Sequence, residues 1–343
     1  GATMASPWTA AEEGFMRRAL DVAERGRGRV SPNPLVGCVL VKEDQVIAEG
    51  WHDHLGGLHA EQMAIHDAEK NGFSPNGSTA FVTLEPCNHT GSTPPCTEAI
   101  IDAEFARVVI SMRDPHEVAS GGVERLRAAG IDVDLNVLGK DVQFSNRSWL
   151  HKIHTGRPRM IWKVAVSADG KIAVGDGSPT WISSEESRAD VQIVRGQSDA
   201  ILIGTGTALV DNPHLIPRTS ESSKSPDRIV VGLREIPATH NLNDSSALTH
   251  FIKSQDIEEI VLEVSKHGYN QVLLECGPTL GNALLRAGFI DELIIYRTPQ
   301  SLGTEGIQLF EDESALLASA ELISKIAIGP DTKSHYFIAK RGG

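Results

Sequence analysis

Cysteine is scarce in this chain, with 4 residues among 343, and so few thiols do not build the disulfide framework of a small secreted protein. Long apolar runs are lacking too, since no stretch of about 18 uncharged apolar residues, the length of a membrane-spanning helix, occurs. The first residues show neither the basic nor the apolar region of a secretory signal peptide. We therefore expect a cytoplasmic protein without a membrane partner.

Positive charge is in deficit, with 32 basic residues against 45 acidic ones and a net charge of −13. Such a surface repels polyphosphate, and no stripe of basic residues interleaved with aromatic ones offsets the total. The charge balance therefore argues against a nucleic-acid partner. The hydrophobic content of 40% is that of an ordinary globular protein, which leaves a small-molecule enzyme or binding protein.

The length of the chain predicts two domains, because 343 residues exceed what one compact core usually organises. In each half, strand-like and helix-like runs alternate, which predicts α/β domains with a sheet between layers of helices. A Gly/Pro/Arg break at 154–159 is the expected linker. The predicted domains cover residues 4–153 and 158–343.

Several local patterns give definite expectations. Thr9 and Glu12 have the spacing of a capping box, which predicts the start of the first helix. One helix near 139–153 and one strand over 160–173 are expected on the two sides of the break. A further strand over 198–204 should run into a Gly/Thr loop.

Two of the four cysteines lie in "VTLEPCNHTGSTPPC" (82–96), each directly after a proline. His59, at the start of a helix-like run, completes with Cys87 and Cys96 a set of soft thiolates and an imidazole, which favours zinc. Three protein ligands leave a fourth tetrahedral position for water, as in catalytic zinc sites. Glu61, two residues after His59, is then suited to shuttle protons without binding the metal.

Each of these elements has a simpler interpretation when taken alone. An H-x-E triplet occurs by chance, and a lone cysteine such as Cys38 or Cys276 is usually a buried thiol. A structural zinc site is another alternative, and it needs a fourth protein ligand, for which His89 is the nearby candidate. The joint order of H-x-E, Pro-Cys, loop, Pro-Cys and helix matches, with a longer loop, the signature of zinc nucleobase deaminases. It favours hydrolytic deamination.

The second half contains two glycine-bearing turns after apolar runs, "ILIGTGTALVDNP" and "VLLECGPTLGNALL". Glycine lets backbone amides approach a phosphate, and a following helix adds a favourable dipole. Neither segment matches G-x-G-x-x-G, so a Rossmann domain is not indicated. From the residues alone these are weak signals, since such turns commonly serve only the fold.

Several segments together resemble the bifunctional riboflavin-biosynthesis deaminase/reductase family. In the first half these are "SPNPLVGCVLV", "HAE", the Pro-Cys segment and "ARVVISMRDP". In the second half they are "KVAVSADGKIA", "WISSEESRADVQIVR", "ILIGTGTALVDNPHL" and "LLECGPTLGNALL". The resemblance covers nearly the whole chain. It implies a cytidine-deaminase-like three-layer α/β/α domain followed by a dihydrofolate-reductase-like α/β domain.

For the first domain, the resemblance implies a zinc-dependent pyrimidine deaminase. The residues it assigns there are His59, Cys87 and Cys96 as zinc ligands, Glu61 as the proton shuttle, and Asn33 and His52 as substrate contacts. Ser92 stands where relatives often carry Lys or Arg; if that basic residue holds the substrate phosphate, this chain has to hold the phosphate by other groups.

For the second domain, the resemblance implies a reductase that uses NADPH. The residues assigned to the cofactor are Ala165, Trp181, Thr207, Asp211, Gly277, Pro278, Thr279, Leu280 and Gly281. Those assigned to the ribose-phosphate substrate are Arg195, Leu215, Arg218 and Glu275. Lys163 and Asp211 are expected nearest the reducible carbon, as the catalytic groups.

Some of these reductase residues also have simpler interpretations. Arg195 lies on a helix beside Asp190 and Asp199 and could form only a surface ion pair. Trp181 could belong to the core. Two positions, Pro179 and Leu233, hold apolar residues where relatives often have polar ones, while Arg234 could reach the extra phosphate of NADPH.

The expected function is a two-step enzyme, and a homodimer is expected. The first domain deaminates 2,5-diamino-6-ribosylamino-4(3H)-pyrimidinone 5′-phosphate, and the second reduces the ribosyl chain, giving 5-amino-6-ribitylaminouracil 5′-phosphate. One alternative is a nucleic-acid (tRNA) deaminase with an appended domain, which shares H-x-E and Pro-Cys but conflicts with the net charge of −13. The other is a non-catalytic binding protein stabilised by zinc.

Overall fold

The chain divides into two compact α/β units, residues 1–150 and 151–343. The structure is a computed structural model, and it describes residues 7–91, 93–116, 121–173, 183–217 and 224–338. None of the helices in that described part has the length and apolar character that a membrane crossing requires.

The first unit contains six α-helices and five strands within its described residues. In chain order they are α1 (Ala10–Ala23), β1 (Gly37–Lys42), β2 (Gln45–Trp51), α2 (Ala60–Lys70), β3 (Thr79–Leu84), α3 (Cys96–Asp102), β4 (Arg107–Met112), α4 (Gly122–Ala128), β5 (Asp132–Leu135), α5 (Gly139–Ser145) and α6 (Arg147–Thr155), the last of which continues past the division.

The sheet of the first unit has the order β2-β1-β3-β4-β5. Strand β1 is antiparallel to β2 and to β3, whereas β3, β4 and β5 are parallel. Because side chains alternate along a strand, β1 places Cys38 and Leu40 in one core and Val39 in another. Helices α2, α3 and α4 cover the first face and α1 the second, so the predicted three-layer α/β/α domain is confirmed.

The start of α1 follows from its sequence. The Glu12 amide donates to Thr9 Oγ1 and the Thr9 amide donates to Glu12 Oε1, both at 3.0 Å, so the predicted capping box is confirmed. The expectation of one helix near 139–153 is wrong, because α5 and α6 are separated at Asn146. The buried side chain of Asn146 accepts from the Leu35 amide and donates to the Leu35 carbonyl, so it serves a distant segment at the interruption.

The second unit adds ten strands and five α-helices within its described residues. They are β6 (Arg159–Val166), β7 (Lys171–Ala173), α7 (Glu185–Gly196), β8 (Ala200–Gly204), α8 (Thr205–Asp211), β9 (Asp227–Val231), β10 (Thr249–Ile252), α9 (Ile257–Ser265), β11 (Gln271–Leu274), α10 (Pro278–Arg286), β12 (Glu292–Arg297), β13 (Gly306–Gln308), α11 (Glu313–Ser319), β14 (Glu321–Ile328) and β15 (Asp331–Phe337).

The large sheet of this unit has the order β10-β9-β8-β11-β6-β12-β15-β14. The six strands from β10 to β12 are parallel, and β15 and β14 add an antiparallel edge. One face packs on α9 and α10, the other on α7 and α8. In such a sheet the loops at the carboxyl ends of the parallel strands form the usual ligand site.

Two local expectations in this unit are wrong. The strand expected over 160–173 ends at Val166, because Gly170, with φ 75°, and Ser167 close a turn, and β7 pairs instead with β13. The Gly/Thr loop expected after residue 204 is the helix α8, whose Ala208 is fully buried in the core. Packing of an apolar side chain therefore overrides the low helix propensity of Gly206.

Candidate functional site

His59, Cys87 and Cys96 come together in the first unit. His59 is the residue before α2, Cys96 is the first residue of α3, and Cys87 lies in the loop that follows β3. His59 Nδ1 lies 3.1 Å from Cys96 Sγ and 3.7 Å from Cys87 Sγ. The structure thus brings together residues that are separated by up to 37 positions in sequence.

The position of His59 depends on close packing beneath it. A Cβ atom at Gly50 of β2 would lie 2.1 Å from the Ala60 carbonyl oxygen, so only glycine allows the first turn of α2 to approach this strand. Ala60 and Ala64 of α2 are fully buried against the sheet. The small residues of the helix and strand therefore fix the point at which His59 leaves the core.

Cys87 is held as a hydrogen-bond acceptor at the start of α3. The Cys96 backbone amide donates to Cys87 Sγ at 3.2 Å. Hydrogen bonds from the Cys96 thiol, from His59 and from the Cys96 amide lower the pKa of Cys87 to about 4, although its burial acts in the opposite direction. The Cys96 amide at the start of α3 thus favours the thiolate form of Cys87, whereas the hydrogen bond to Cys87, and then burial, raise the pKa of Cys96.

The three side chains fit a tetrahedral metal ion. Their ligand atoms all lie within 4.8 Å of one another, and they are the one group of at least three His, Cys, Asp or Glu residues with this property in the described part of the chain. With zinc–sulfur and zinc–nitrogen bonds of about 2.3 and 2.1 Å, tetrahedral ligands are separated by roughly 3.6 Å. His89, the alternative fourth ligand, is exposed and is not in this group.

Glu61 lies in the first turn of α2, beside the ligand group but outside it. It is only 3% exposed, and its carboxyl group is hydrogen-bonded to Cys96. Burial, and then the negative charge of Cys87, raise the pKa of Glu61. A buried carboxyl group that does not ligate the metal is what a proton shuttle requires.

Asn33 and His52 lie next to each other and to this group. The rings of His52 and His59 are 5.9 Å apart. His52 Nδ1 donates to the Leu58 carbonyl at 3.0 Å, so its Nε2 accepts from Asn33 Nδ2 at 3.1 Å. Burial lowers the pKa of His52, which favours this neutral form. Because both ring nitrogens of His52 are hydrogen-bonded, the ring sets the orientation of the Asn33 side-chain amide. The amide oxygen of Asn33 takes no part in this contact.

Glu85 is a residue of this site that the sequence analysis did not single out. Its side chain is fully buried directly before Pro86 and Cys87, and it forms an ion pair with Arg113 at 3.2 Å. Its oxygens also accept from the amides of Asp114 at 3.1 Å and Val123 at 3.0 Å. This carboxylate therefore fastens the start of the cysteine loop to two further segments. The available signal was an acidic residue placed between an apolar strand and Pro-Cys.

The other two cysteines are buried thiols, as expected. Cys38 is fully buried and Cys276 is 5% exposed. Burial raises the pKa of Cys38, and it raises the pKa of Cys276 to about 12. Neither is a candidate ligand or nucleophile.

In the second unit, three charged side chains meet at the carboxyl edge of the parallel strands. Glu275 follows β11 directly, and Lys163 of β6 donates to its Oε1 at 2.8 Å. Arg195, near the end of α7, donates to both Glu275 oxygens at 2.7 and 2.8 Å. These contacts join residues 112 and 80 positions apart.

The cluster is largely buried, with side-chain exposures of 7% for Glu275, 16% for Lys163 and 18% for Arg195. Burial alone would raise the pKa of Glu275, but the charges of Lys163 and Arg195 hold this pKa well below its ordinary value. The alternative of a surface ion pair for Arg195 is therefore wrong. Asp190 instead accepts from Tyr296 and Lys333, and Asp199 accepts from the Asn270 amide.

Other predicted reductase residues follow the same edge of the sheet. Ala165 is two residues after Lys163 on the same face of β6, while Thr207 and Asp211 lie on α8, directly after β8. Leu215 is 3% exposed with its side chain in the core, so it can offer a ligand mainly its backbone. Trp181, Arg218, Ser92 and Pro179 lie outside the described residues. Leu233 is exposed.

The turn Gly277–Gly281 is the start of α10. Gly277 precedes the helix, and a Cβ atom there would meet no neighbour within 4 Å, so this position is open. Pro278 is the first helical residue, and Thr279 and Leu280 complete the first turn. Gly281 is different, because a Cβ atom there would lie 2.1 Å from the Trp162 ring. Packing against Trp162 therefore explains this glycine without a cofactor.

Comparisons with known proteins agree with this division of the chain. Residues 9–112 match the family described as cytidine and deoxycytidylate deaminase zinc-binding region, and residues 158–334 match the RibD C-terminal domain. The riboflavin biosynthesis protein RibD of Escherichia coli is 38% identical over 86% of this chain and 89% of its own length. RibD of Mycobacterium tuberculosis is 41% identical, covering 84% and 85%.

This chain belongs to the RibD family. Among solved structures, RibD of Acinetobacter baumannii superposes with a TM-score of 0.86 at 32% identity, over 96% of this chain and 99% of its own. The diaminohydroxyphosphoribosylaminopyrimidine deaminase/5-amino-6-(5-phosphoribosylamino)uracil reductase of Thermotoga maritima gives 0.87 at 31% identity, with the same coverage. RibD proteins are deaminase/reductase enzymes, and both the deaminase and the reductase domain are present here. The predicted family, fold class and enzyme class are confirmed.

Proposed function

We propose that the chain catalyses two successive steps of riboflavin biosynthesis, one in each unit. The zinc-dependent deaminase is assigned to residues 4–153 and the NADPH-dependent reductase to residues 158–343. One observation carries the proposal: His59, Cys87 and Cys96 meet beside a buried Glu61 in one unit, and Lys163, Arg195 and Glu275 meet at the carboxyl edge of the sheet in the other. The names of the RibD relatives from T. maritima and E. coli supply the substrate class.

The first site would hold zinc through His59 Nδ1 and the two cysteine sulfurs, with the fourth position open to solvent or substrate. When bound there, zinc supplies Lewis-acid activation of one water molecule as the nucleophile. The overall change is hydrolytic: water replaces the exocyclic amine of the diaminopyrimidine, which leaves as ammonia. This chemistry requires a group that moves protons between the water and the leaving amine.

Glu61 is the group that we assign to this proton transfer. Its burial and its raised pKa allow the carboxyl group to take a proton and to return it to the substrate nitrogen. Asn33 would bind the polar edge of the pyrimidine with its amide, in the orientation that its hydrogen bond to His52 sets. A direct contact between His52 and the substrate stays a prediction.

The second site would bind NADPH, which supplies a hydride for C1′ of the ribosyl chain. Thr207, Asp211 and Ala165 are our candidate contacts for the cofactor, together with the first turn of α10, where the amides that follow Pro278 suit a phosphate. Arg234 adds a cation, because its Nη1 lies 4.0 Å from an ideal Cβ position at Gly206. This arrangement supports NADPH over NADH.

Lys163, Arg195 and Glu275 are our candidates for handling the ribose phosphate. Glu275 accepts a hydrogen bond from the ammonium group of Lys163, whose side chain is 16% exposed. From this position the ammonium group can donate a proton or a hydrogen bond to the opening ribose. Arg195 is fixed by two hydrogen bonds to the same carboxylate and presents its remaining donors to the substrate. Leu215 and Arg218 are further proposed substrate contacts, and Asp211 is the second proposed catalytic group.

The alternatives are less well supported. A tRNA deaminase with an appended domain does not account for the match to the RibD C-terminal domain over residues 158–334. A binding protein stabilised by zinc does not account for a buried Glu61 beside the ligands. A homodimer and a cytoplasmic location stay predictions.

One assay tests the proposal as a whole. The purified chain is incubated with 2,5-diamino-6-ribosylamino-4(3H)-pyrimidinone 5′-phosphate, with and without NADPH. The products are identified by mass spectrometry. We expect only the deaminated ribosyl compound without NADPH and the ribityl compound with it. Elemental analysis should give about one zinc per chain. Absence of deamination contradicts the assignment of the deaminase, as does a zinc content of zero or of two ions per chain. Absence of reduction contradicts the assignment of the reductase.

A further inference from the structure

The turn formed by residues 212–215, directly after α8, has an unusual backbone. Asn212, with φ 43°, is the C-cap of α8, where asparagine readily adopts the left-handed conformation, whereas Leu215, with φ 57°, is in a region that such a residue rarely adopts. Such backbone persists only where the surrounding structure fixes it. The buried side chain of Leu215 anchors one end of this 212–215 turn in the core, while Asn212 is exposed. A second restraint acts on the exposed end.

Asn241 supplies that restraint from the loop between β9 and β10. Its backbone amide donates to Asn212 Oδ1 at 2.9 Å, and its Nδ2 donates to the Asn212 carbonyl at 2.7 Å. One residue thus engages both the side chain and the backbone of Asn212. The two residues are 29 positions apart, so this contact is not a local turn bond.

Arg228, a residue of β9, contacts the same loop. Its guanidinium is fully buried, and Nη1 donates to the carbonyls of His214 at 3.2 Å and Asn241 at 3.4 Å. The same group forms an ion pair with Asp244 at 2.9 Å. The turn and the residue that holds it are therefore fastened to one cation in the core of the reductase unit.

We propose that Asn241 is a positioning residue for the reductase substrate, acting through the 212–215 turn. The inference rests on the proposed function, in which Leu215 lies against the ribose phosphate. Asn241 touches Asn212, which follows α8 and donates its amide to the Ala208 carbonyl at 3.0 Å, while Asp211 is the last residue of the helix itself. Loosening the turn should therefore weaken binding of the ribosyl substrate more than binding of NADPH.

Asn243 provides a matched control. It lies two residues after Asn241 in the same short 3-10 helix, and its side chain also donates to a carbonyl, that of Pro237 at 2.8 Å. Pro237 belongs to the same loop and not to the 212–215 turn. Asn243→Ala therefore removes the same chemical group from the same loop without releasing the turn.

The test compares Asn241→Ala with Asn243→Ala in the full-length chain, with NADPH and the deaminated ribosyl substrate. Asn241→Ala should raise KM for this substrate about fivefold or more, while kcat and KM for NADPH stay within about twofold. Hydrogen–deuterium exchange of peptides covering residues 208–217 should become faster in this variant. Asn243→Ala should change neither property.

Unchanged exchange in Asn241→Ala overturns the restraint, and faster exchange with an unchanged substrate KM overturns its role in binding. Equal effects of both substitutions also overturn the proposal, because they indicate general damage to the loop. If the wild-type chain does not reduce the substrate, the proposed function fails by itself. Calorimetric binding of ribose 5-phosphate then replaces KM, and equal affinity of wild type and Asn241→Ala overturns the inference.

Discussion

The two candidate sites are built in opposite ways. In the first unit, His59, Cys87 and Cys96 converge beside the buried Glu61, and the helix starts at His59 and Cys96 set their geometry. In the second unit, Glu275 is neutralised by Lys163 and Arg195 before any ligand arrives. The first arrangement favours a cation, and the second presents fixed donors to an anionic substrate.

Because of this difference, function and stability should depend on different groups in the two sites. The deaminase site should lose its function when one ligand is removed, while the fold keeps its core. The reductase site contains a buried ion cluster, so removal of its carboxylate should affect both activity and stability. The following variants test this contrast, beginning with the largest expected effect.

Cys87→Ser should abolish deamination, since a hydroxyl group is a poor zinc ligand at neutral pH. Reduction of the already deaminated substrate should stay within a few-fold of the wild-type rate, because each domain has its own core. The two steps are assayed separately with their own substrates, and circular dichroism checks the fold. Loss of both steps in a folded variant would show that the sites are coupled and that the assignment by domain is wrong.

Glu61→Gln should lower deamination by about 10²-fold or more, since it removes the proton shuttle and keeps the shape of the side chain. Zinc content should not change, because Glu61 is not in the ligand group. The measurements are the turnover rate and elemental analysis of the same preparation. Loss of zinc from this variant would identify Glu61 as a ligand and contradict its proposed role.

Glu275→Gln should lower the stability of the second unit by about 3 kcal/mol or more, because it leaves two buried cations without their carboxylate. NADPH-dependent reduction should fall strongly, and deamination should not change. Hydrogen exchange in urea, followed in peptides of β11 and of β3, reports the two units separately. Equal destabilisation of both units would contradict their independence.

Lowering the pH should reduce the difference in the free energy of unfolding between wild type and Glu275→Gln. The pKa of Glu275 is depressed in the folded chain, so its contribution is complete above the unfolded pKa of about 4.3 and is lost as the pH falls below it. The stability gap should therefore narrow below about pH 4.5, by up to about 1.4 kcal/mol per pH unit. A gap that stays constant or widens down to about pH 3.5 would contradict the ionised state of Glu275.

The contrast also explains how much of each site the sequence could predict. The zinc ligands and Glu61 are signalled by residue types and spacing, because thiolates and imidazole have few other uses in such a pattern. The resemblance assigned Lys163, Arg195 and Glu275 only as separate site residues. Their contact with one another was not predicted, since it depends on the pairing of β6 with β11 and on the packing of α7. No short motif records such long-range contacts.

The fold shows the same limit. Alternating patterns predicted two α/β domains, and the capping box at Thr9 and Glu12 is confirmed in detail. The interruption at Asn146 was not predicted, because its cause is a contact with Leu35, 111 residues away. The helix α8 was mistaken for a loop because the burial of Ala208 outweighs the low helix propensity of Gly206. Tertiary contacts explain these two errors, whereas the strand expected over 160–173 was interrupted by the local turn at Ser167 and Gly170.

Removing a helix cap from each unit in turn should give the smallest effects. Thr9→Ala removes the side-chain acceptor of the Glu12 amide at the start of α1. Asp256→Ala removes the acceptor of the Glu259 amide at the start of α9, where the bond is 3.2 Å long. Each loss should cost about 1 kcal/mol, the usual contribution of a capping side chain.

The two cap variants are controls for each other. If the units unfold independently, Thr9→Ala should accelerate exchange in peptides of β3 and leave those of β11 unchanged, and Asp256→Ala should do the reverse. Neither residue lies in a candidate site, so both catalytic rates should stay at the wild-type level. Faster exchange in both units after either substitution would mean that the chain unfolds as one cooperative body. The effect of Glu275→Gln could then not be attributed to the reductase unit alone.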